Sequence, residues 1–346
     1  MRWVFVAIIA LHGAIHFLGL KRPRAPLWIA AALALLATAF APPPFIWLVG
    51  LPALVVSQFA IATAWRDAKF GTIGNVILFL GVAFSFAAHG PLSLRAEYER
   101  AANELARAAP KRGVLTEADL APLPEPVQRY LRLTGSVGQP HPRLTRATWK
   151  GRIRSSATDP WMELTATQLN SWDDTPGRAF FIDATLKHLP VDVFHRFIGS
   201  DATFRVRPMS AFNLINAGGE ELSRAETVTI LNDLCVLAPA RLVDPSITLE
   251  PIDAHAARVH FKRAGRSVSA ELRFDDAGWL IDFISDDRLQ ASADGASFKP
   301  LRWSTPLREP AAFQNRKAMR FGEARWHEPS GDFTYIELEL TNLEVE

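Results

Sequence analysis

The chain of 346 residues has one cysteine, Cys235, so no internal disulfide can form. A domain of this size needs no such staple, and the lone thiol fits any compartment. No HExxH metal spacing, P-loop, GxSxG elbow or dinucleotide fingerprint occurs. No strand–helix alternation of the βαβ kind appears either, which argues against Rossmann and barrel enzymes. The aspartates and histidines are scattered, as in a non-catalytic domain. Nothing in the sequence calls for a cofactor.

Charge is absent where apolar residues crowd. Residues 1–93 hold six bases (Arg2, Lys21, Arg22, Arg24, Arg66, Lys69) and one acid, Asp67, a net of +5. The remainder holds 32 bases and 35 acids, a net of −3. An acidic domain without a basic cluster gives no support to nucleic-acid binding, and no nucleic-acid partner is expected.

What is there, first, is four apolar runs: Trp3–Leu20, Pro26–Ala41, Phe45–Ala64 and Gly71–Ala88. A spanning helix takes about 20 apolar residues. The second run is short and ends at Pro42-Pro43-Pro44, but it is uncharged and lies between two others. A four-helix transmembrane region over 1–90 is therefore expected. The basic residues fall in the first loop (Lys21, Arg22, Arg24) and in the third (Arg66, Lys69, within Trp65–Phe70). The positive-inside rule puts both loops in the cytoplasm, hence both termini and the rest of the chain outside it. Membrane lipids are the implied partners, and a bacterial inner membrane the expected location. His12 and His16, four apart on one helical face, are weak candidates for a metal; the plainer reading is hydrogen bonding inside the bundle, with Ser57, Gln58, Thr63, Thr72 and Asn75 as partners.

Residues 91–140 read as a helical connector: a polar helix from Leu94 ended before Pro110, a short helix capped by Thr116, and a helix in LPEPVQRYLRLTG that Pro126 begins and Gly135 ends. From 141 to 346 the period changes to two. Alternation at Arg146–Arg154, Phe180–Leu186, Phe204–Val206, Val268–Phe274 and Ile336–Leu340 predicts amphipathic antiparallel strands, with a hairpin at Asp275–Gly278. One helix interrupts them. Ser223 and Glu226 have capping-box spacing, Val228, Leu231, Cys235 and Ala238 line one side, and Pro239 ends it. The fold class is thus a membrane α-helical N-terminal part plus an α+β soluble domain, a curved antiparallel sheet or half-barrel with a few packed helices.

LHGAIHFLG (Leu11–Gly19), SQFAIATAWRDAKFGTIGN (Ser57–Asn75), LPEPVQRYLRLTG (Leu123–Gly135), ETVTILNDLCVLAP (Glu226–Pro239) and WSTP (Trp303–Pro306) occur in this order. Together they resemble an uncharacterised bacterial family of membrane proteins with an N-terminal helical anchor and a C-terminal β-rich domain, for which no reaction is implied. More loosely, the soluble half resembles lipoprotein-carrier domains, curved sheets that hold acyl chains under helices.

The functional expectation is a β-domain that binds a lipid-like or apolar ligand, or a lipidated partner, at the membrane surface. Its candidate binding residues are Glu226, Asn232, Asp233 and Cys235 on the helix, with Trp149 and Trp279. Trp161, Phe180, Phe181, Phe204 and Phe274 are expected in the core or its pocket. The alternatives are a cell-envelope enzyme using Glu226, Asn232, Asp233 and Asp286 in one open cleft, and a docking protein with a filled core. A nucleophilic Cys235 with His188, His195, His255 or His260 as base is disfavoured, because a cysteine on an apolar helix face packs as a small hydrophobe. Asp286 and Asp287 are adjacent on a strand and point to opposite faces, with Arg288 as a partner. Trp326-His327 and Asp332–Tyr335 read as sheet-edge packing.

Overall fold

A computed structural model describes residues 2–108, 113–172, 176–292, 294–314 and 316–346. The chain forms two compact units: residues up to Glu97 with Met209–Ala211, and Tyr98–Pro208 with Phe212–Glu346.

The first unit is helical, with α1 (Arg2–His16), α2 (Ala25–Phe40), α3 (Ile46–Thr63), α4 (Trp65–Ala68) and α5 (Gly71–His89). Helix α1 packs on α2 and α5, and α3 on α2 and α5. Ile9, Leu35, Ala39, Ala53, Leu78 and Val82 fill the centre. Leu33, Val55, Phe59, Ile73 and Leu80 face outward, the inverse of a water-soluble bundle. Among the described residues, three helical stretches, Arg2–Lys21, Pro43–Thr63 and Gly71–Arg107, are long and apolar enough to cross a membrane. The expected second span is a shorter apolar helix of 16 residues, because Arg24 and the prolines from Pro42 bound it on both sides.

The second unit contains α6 (Leu94–Ala108, from Tyr98), α7 (Glu117–Leu120), α8 (Glu125–Leu133), six strands β1 (Leu144–Ile153), β2 (Met162–Ser171), β3 (Gly177–Leu186), β4 (Leu189–Ile198), β5 (Asp201–Pro208) and β6 (Ile215–Gly218), then helix α9 (Glu220–Leu237). Ten strands follow: β7 (Ile247–Asp253), β8 (Ala256–Arg263), β9 (Arg266–Phe274), β10 (Leu280–Ser285), β11 (Leu289–Ala291), β12 (Phe298–Pro300), β13 (Trp303–Ser304), β14 (Leu307–Phe313), β15 (Arg316–Glu328) and β16 (Gly331–Val345). Thr116 and Asp119 form the capping box of α7, and Gly135 takes φ +70° after α8. The expected stop of α6 at Pro110 lies outside the described residues. The connector helices belong to the β unit: Leu115, Leu120, Val127, Tyr130 and Leu131 are in its core.

Fourteen strands form one antiparallel sheet, in the order β6-β5-β4-β3-β2-β1-β16-β15-β13-β10-β9-β8-β7, with β14 paired to β15. Its edges, β6 and β7, are joined through α9. Laid flat, those edges would stand about 55–60 Å apart at roughly 4.8 Å per strand. The helix spans about 27 Å at 1.5 Å per residue. The sheet therefore curls, and α9 runs inside the curl, touching β5 and β6 at one side and β9, β10 and β15 at the other. The hairpin β11–β12 covers it. Gly295 at the hairpin turn, φ +73°, rests on β6, where an added Cβ would come within 3.1 Å of Ala217 and Ile215. The outer face of β3 is also covered: Tyr98 on α6 lies 6.0 Å from the Phe181 ring and 6.2 Å from Phe194.

Two expectations for α9 are corrected. The helix begins at Glu220 after Gly219 (φ +94°), so Ser223 is no N-cap: its hydroxyl donates back to the Gly219 carbonyl and accepts from Ala202 N. Nor does the helix bury one stripe. Fourteen of its 18 residues are buried, Glu226, Thr227, Thr229, Asn232 and Asp233 among them, because it is enclosed by sheet and hairpin together. Of the aromatic residues expected inside, Phe180 and Phe274 are core. Trp161 instead meets the guanidinium groups of Arg152 and Arg154, 4.5 and 4.3 Å from its ring.

Candidate functional site

Glu226 and Asp233 lie seven residues apart on α9, two turns, and so share a face. Both meet Arg178 of β3. Arg178 Nε donates to Asp233 Oδ2 at 2.8 Å, and its Nη1 is 3.9 Å from Glu226 Oε2. Glu226 Oε1 accepts from Arg288 Nη2 at 2.8 Å, and Oε2 is 3.4 Å from His195 Nδ1. Asp233 Oδ2 also accepts from Gln168 Nε2 (2.7 Å) and Asn170 Nδ2 (3.0 Å) on β2. Aromatic faces support the cations: Arg178 lies 4.5 Å from the Phe180 ring, and Arg288 5.5 and 5.8 Å from Trp303 and Trp326.

Burial alone would raise the Glu226 carboxyl. Arg288, His195 and Arg178 outweigh it and hold the group well below the usual carboxylate range. For Asp233 burial wins and pushes the carboxyl up, against Arg178 and Asn170. Burial also lowers His195, against the pull of Glu226.

The other sequence candidates distribute as follows. Trp149 reaches the group through Gln168, donating from Nε1 to Gln168 Oε1 at 3.1 Å. Asn232 turns away and donates to Thr305 Oγ1 at 2.7 Å. Cys235 packs in the core, and burial pushes its thiol up, away from thiolate chemistry. Trp279 closes the Asp275 turn at the edge of the core, donating its backbone N–H to Asp275. Asp286 is apart from the two helix carboxylates, exposed and paired with Arg302 at 2.8 Å; Asp287 accepts from Ser269. The four polar residues proposed for a cleft therefore do not converge. Sequence reading passed over Gln168, Asn170 and Arg178. Their alternation on neighbouring strands marks one face but does not announce a partner on a helix more than 50 residues away.

Two further clusters are built from side chains of known chemistry. Ser304 Oγ is 2.9 Å from His327 Nε2, and His327 Nδ1 is 2.8 Å from Asp332 Oδ1. These are the contacts of a nucleophile, base and acid, but the exposure is inverted. Ser304 is 1% exposed and the Asp332 side chain 51%, whereas a working triad buries the acid and presents the serine. Neighbouring Asp282 is pushed up to about 6 by burial, against Phe283 N–H and Arg273. The folded state then binds more protons than the unfolded chain between the ordinary value of 3.8 and about 6. The Asp282 contribution to stability falls as pH rises through that window, so the stability of Asp282→Asn relative to the wild type should rise between pH 4 and 7, measured by denaturation of both proteins.

In the helical unit, His12 Nε2 is 2.9 Å from Asn75 Oδ1, and His16 Nε2 3.1 Å from Ser57 Oγ. Ser57 donates to Asn75 Oδ1, and Asn75 Nδ2 to Gln58 Oε1. Gly74 admits this packing: a Cβ there would lie 2.7 Å from the His12 ring. The two imidazoles meet neutral oxygens, and no group of three His, Cys, Asp or Glu gathers among the described residues. Asn75→Ala is expected to cost about 1–2 kcal/mol of stability in detergent, read by thermal unfolding.

A cleft of about 440 Å³ lies on α6 beside Arg100, Asn103, Glu104 and Arg107, one helix face without converging acid–base chemistry.

A family model described as a family of unknown function, DUF6544, matches residues 113–338. No curated protein matches the chain. Among solved structures, a DUF1329 family protein from Desulfovibrio piger is similar at 9% identity, covering 68% of this chain and 94% of that one, with a TM-score of 0.37. A LolA superfamily protein from Nitrosomonas europaea is similar at 8% identity, with the same coverages and a TM-score of 0.28. Scores this low bear on no functional assignment.

Proposed function

Since the chain belongs to the DUF6544 family of unknown function, whose description assigns it no reaction, we propose that it is a membrane-anchored binding protein. Its β unit takes a lipid-like or apolar ligand, or a lipidated partner, between α9 and the sheet. Four apolar helices form the anchor. Lys21, Arg22, Arg24, Arg66 and Lys69 keep their loops in the cytoplasm, so both termini and the β unit work outside it.

The observation that carries this reading is the seam along α9. A helix that only filled a core would be apolar all round. This one buries Glu226 and Asp233 against Arg178 and Arg288. Buried ion pairs add little net stability over apolar packing, since their attraction is largely offset by lost hydration. Opening such a seam returns hydration to four charges, which an all-apolar core cannot do. The seam is thus the line along which α9 and the sheet can part, with the freed charges in water and an acyl chain lying against the apolar residues of the same core.

The test uses the full chain in detergent micelles with a phospholipid carrying a diazirine in one acyl chain. Cross-links are expected on peptides 163–186 and 220–237 as well as on the apolar helices. Cross-links confined to residues 2–89 would sink the reading. Docking of a protein partner is the second reading. It is favoured by the helix already occupying the curl and by Leu189, Phe212 and Leu214, exposed at neighbouring hairpin ends of β3–β4 and β5–β6.

A further inference from the structure

The seam separates charge by element. Helix α9 supplies both carboxylates. The wall facing them supplies donors: Gln168 and Asn170 from β2, Arg178 from β3, and Arg288 from the segment entering β11. His195 of β4 adds a ring nitrogen 3.4 Å from Glu226. Three donors meet on a single atom, Asp233 Oδ2, at 2.7, 2.8 and 3.0 Å.

These donors are held by the sheet, independently of the helix. Asn170 and Arg178 are directly paired in the β2–β3 register. Trp149 Nε1 donates to Gln168 Oε1, which turns the Gln168 amide nitrogen inward. That nitrogen also donates to Asn170 Oδ1 at 2.8 Å, which fixes the Asn170 amide in turn. Arg178 is seated on the Phe180 ring. Arg288 Nε is buried without a hydrogen-bond partner among the described residues. Withdrawal of Asp233 would leave a preorganised cradle of N–H groups around the place of one oxygen. A neutral occupant would leave Arg178 Nε without an acceptor and with only Glu226, 3.9 Å from Nη1, as counter-charge, at the high cost of a poorly paired buried ion.

The geometry points to an anionic oxygen as the group that shares this cradle: the ligand carries a phosphate or carboxylate head, bound by Gln168, Asn170 and Arg178 in the place of Asp233. Glu226 and Asp233 are then the competitors built into the fold, and the ligand's head replaces what the helix supplies. This inference rests on the lipid-binding reading above and adds the class of head group.

The experiment compares diazirine-acyl phosphatidylglycerol with diazirine-acyl diacylglycerol, which has no anionic oxygen, on the full chain in detergent, reading cross-links on peptides 163–186 and 220–237. The anionic lipid is expected to label several-fold more. Arg178→Gln should lower that labelling about tenfold and erase the preference, with Asn170→Ala as the gentler variant if Arg178→Gln does not fold. Asp233→Asn should raise it, because the competitor is weakened while the donors remain. A seam that is only structural would move both variants the same way. Excess inorganic phosphate separates two sources of the same chemistry: suppression assigns the cradle to the free oxyanion, and no suppression assigns it to the lipid head. Equal labelling by the two lipids, or parallel effects of Arg178→Gln and Asp233→Asn, overturns the anionic head and leaves the lipid-binding reading intact. No cross-link to the β unit from either lipid overturns both.

Discussion

Arg178→Met is expected to cost the β unit about 3–5 kcal/mol, the usual consequence of leaving a buried charge without its partner. The guanidinium is 8% exposed and serves Asp233 directly and Glu226 at 3.9 Å. Without it, Asp233 keeps two amide donors but no counter-charge, and burial already pushes its carboxyl up. Adding Asp233→Asn should restore a good part of the loss, since removal of both charges leaves less to desolvate. The measurement is a double-mutant cycle on the full chain, read as hydrogen exchange of peptides 163–186 against denaturant. Additive losses for the two substitutions would show that no ion pair couples α9 to β3.

Glu226→Gln should have a comparable effect at neutral pH, about 3–5 kcal/mol, because Arg288 and His195 lose their carboxylate. Its signature lies in the pH dependence. The folded carboxyl is held below its ordinary value of 4.5 by Arg288, His195 and Arg178, which outweigh burial. A carboxyl depressed by folding contributes stability that is fully present above the unfolded value and is lost as pH falls below it. The wild type should therefore lose stability steeply below about pH 4.5. Glu226→Gln should be flatter there, and the two curves should converge. His195 titrates in contact with Glu226. Burial lowers it from 6.5, so the unfolded chain takes up a proton first and stability declines as pH falls below that value. That decline should deepen in Glu226→Gln, which removes the carboxylate that pulls His195 up against burial. Parallel curves down to pH 3 would remove Glu226 from the acid response.

Both substitutions bear on how the helix is held, and the origin of that hold was only partly legible. Glu226 and Asp233 could be chosen from their spacing, since seven residues on a helix mean one face. The wrong inference was the capping box: Ser223 and Glu226 fit the pattern, but Gly219 at φ +94° begins the helix a turn earlier and frees Glu226 for Arg288. A local motif was overridden by a partner 62 residues away. Asp286 is expected in the same cleft with Arg288 as a partner, but it is exposed and pairs with Arg302, while Arg288 pairs with Glu226. The two are separated by the bend at Asp286-Asp287 between β10 and β11, which leaves Asp286 in water and turns Arg288 to the seam.

The sequence by itself determined the apolar helices, the period-two strands at Arg146–Arg154, Phe180–Leu186, Phe204–Val206, Val268–Phe274 and Ile336–Leu340, the hairpin at Asp275–Gly278 and the helix before Pro239. Each follows from contacts within a few residues, where backbone geometry and side-chain alternation are nearly sufficient. Only the tertiary structure decided that β6 and β7 are opposite edges, that the sheet curls around α9, and that Gln168, Asn170, Arg178 and Arg288 converge on the helix carboxylates. Strand order and long-range ion pairing depend on which surfaces meet after the chain closes on itself. No window of sequence short enough to show a period contains both partners.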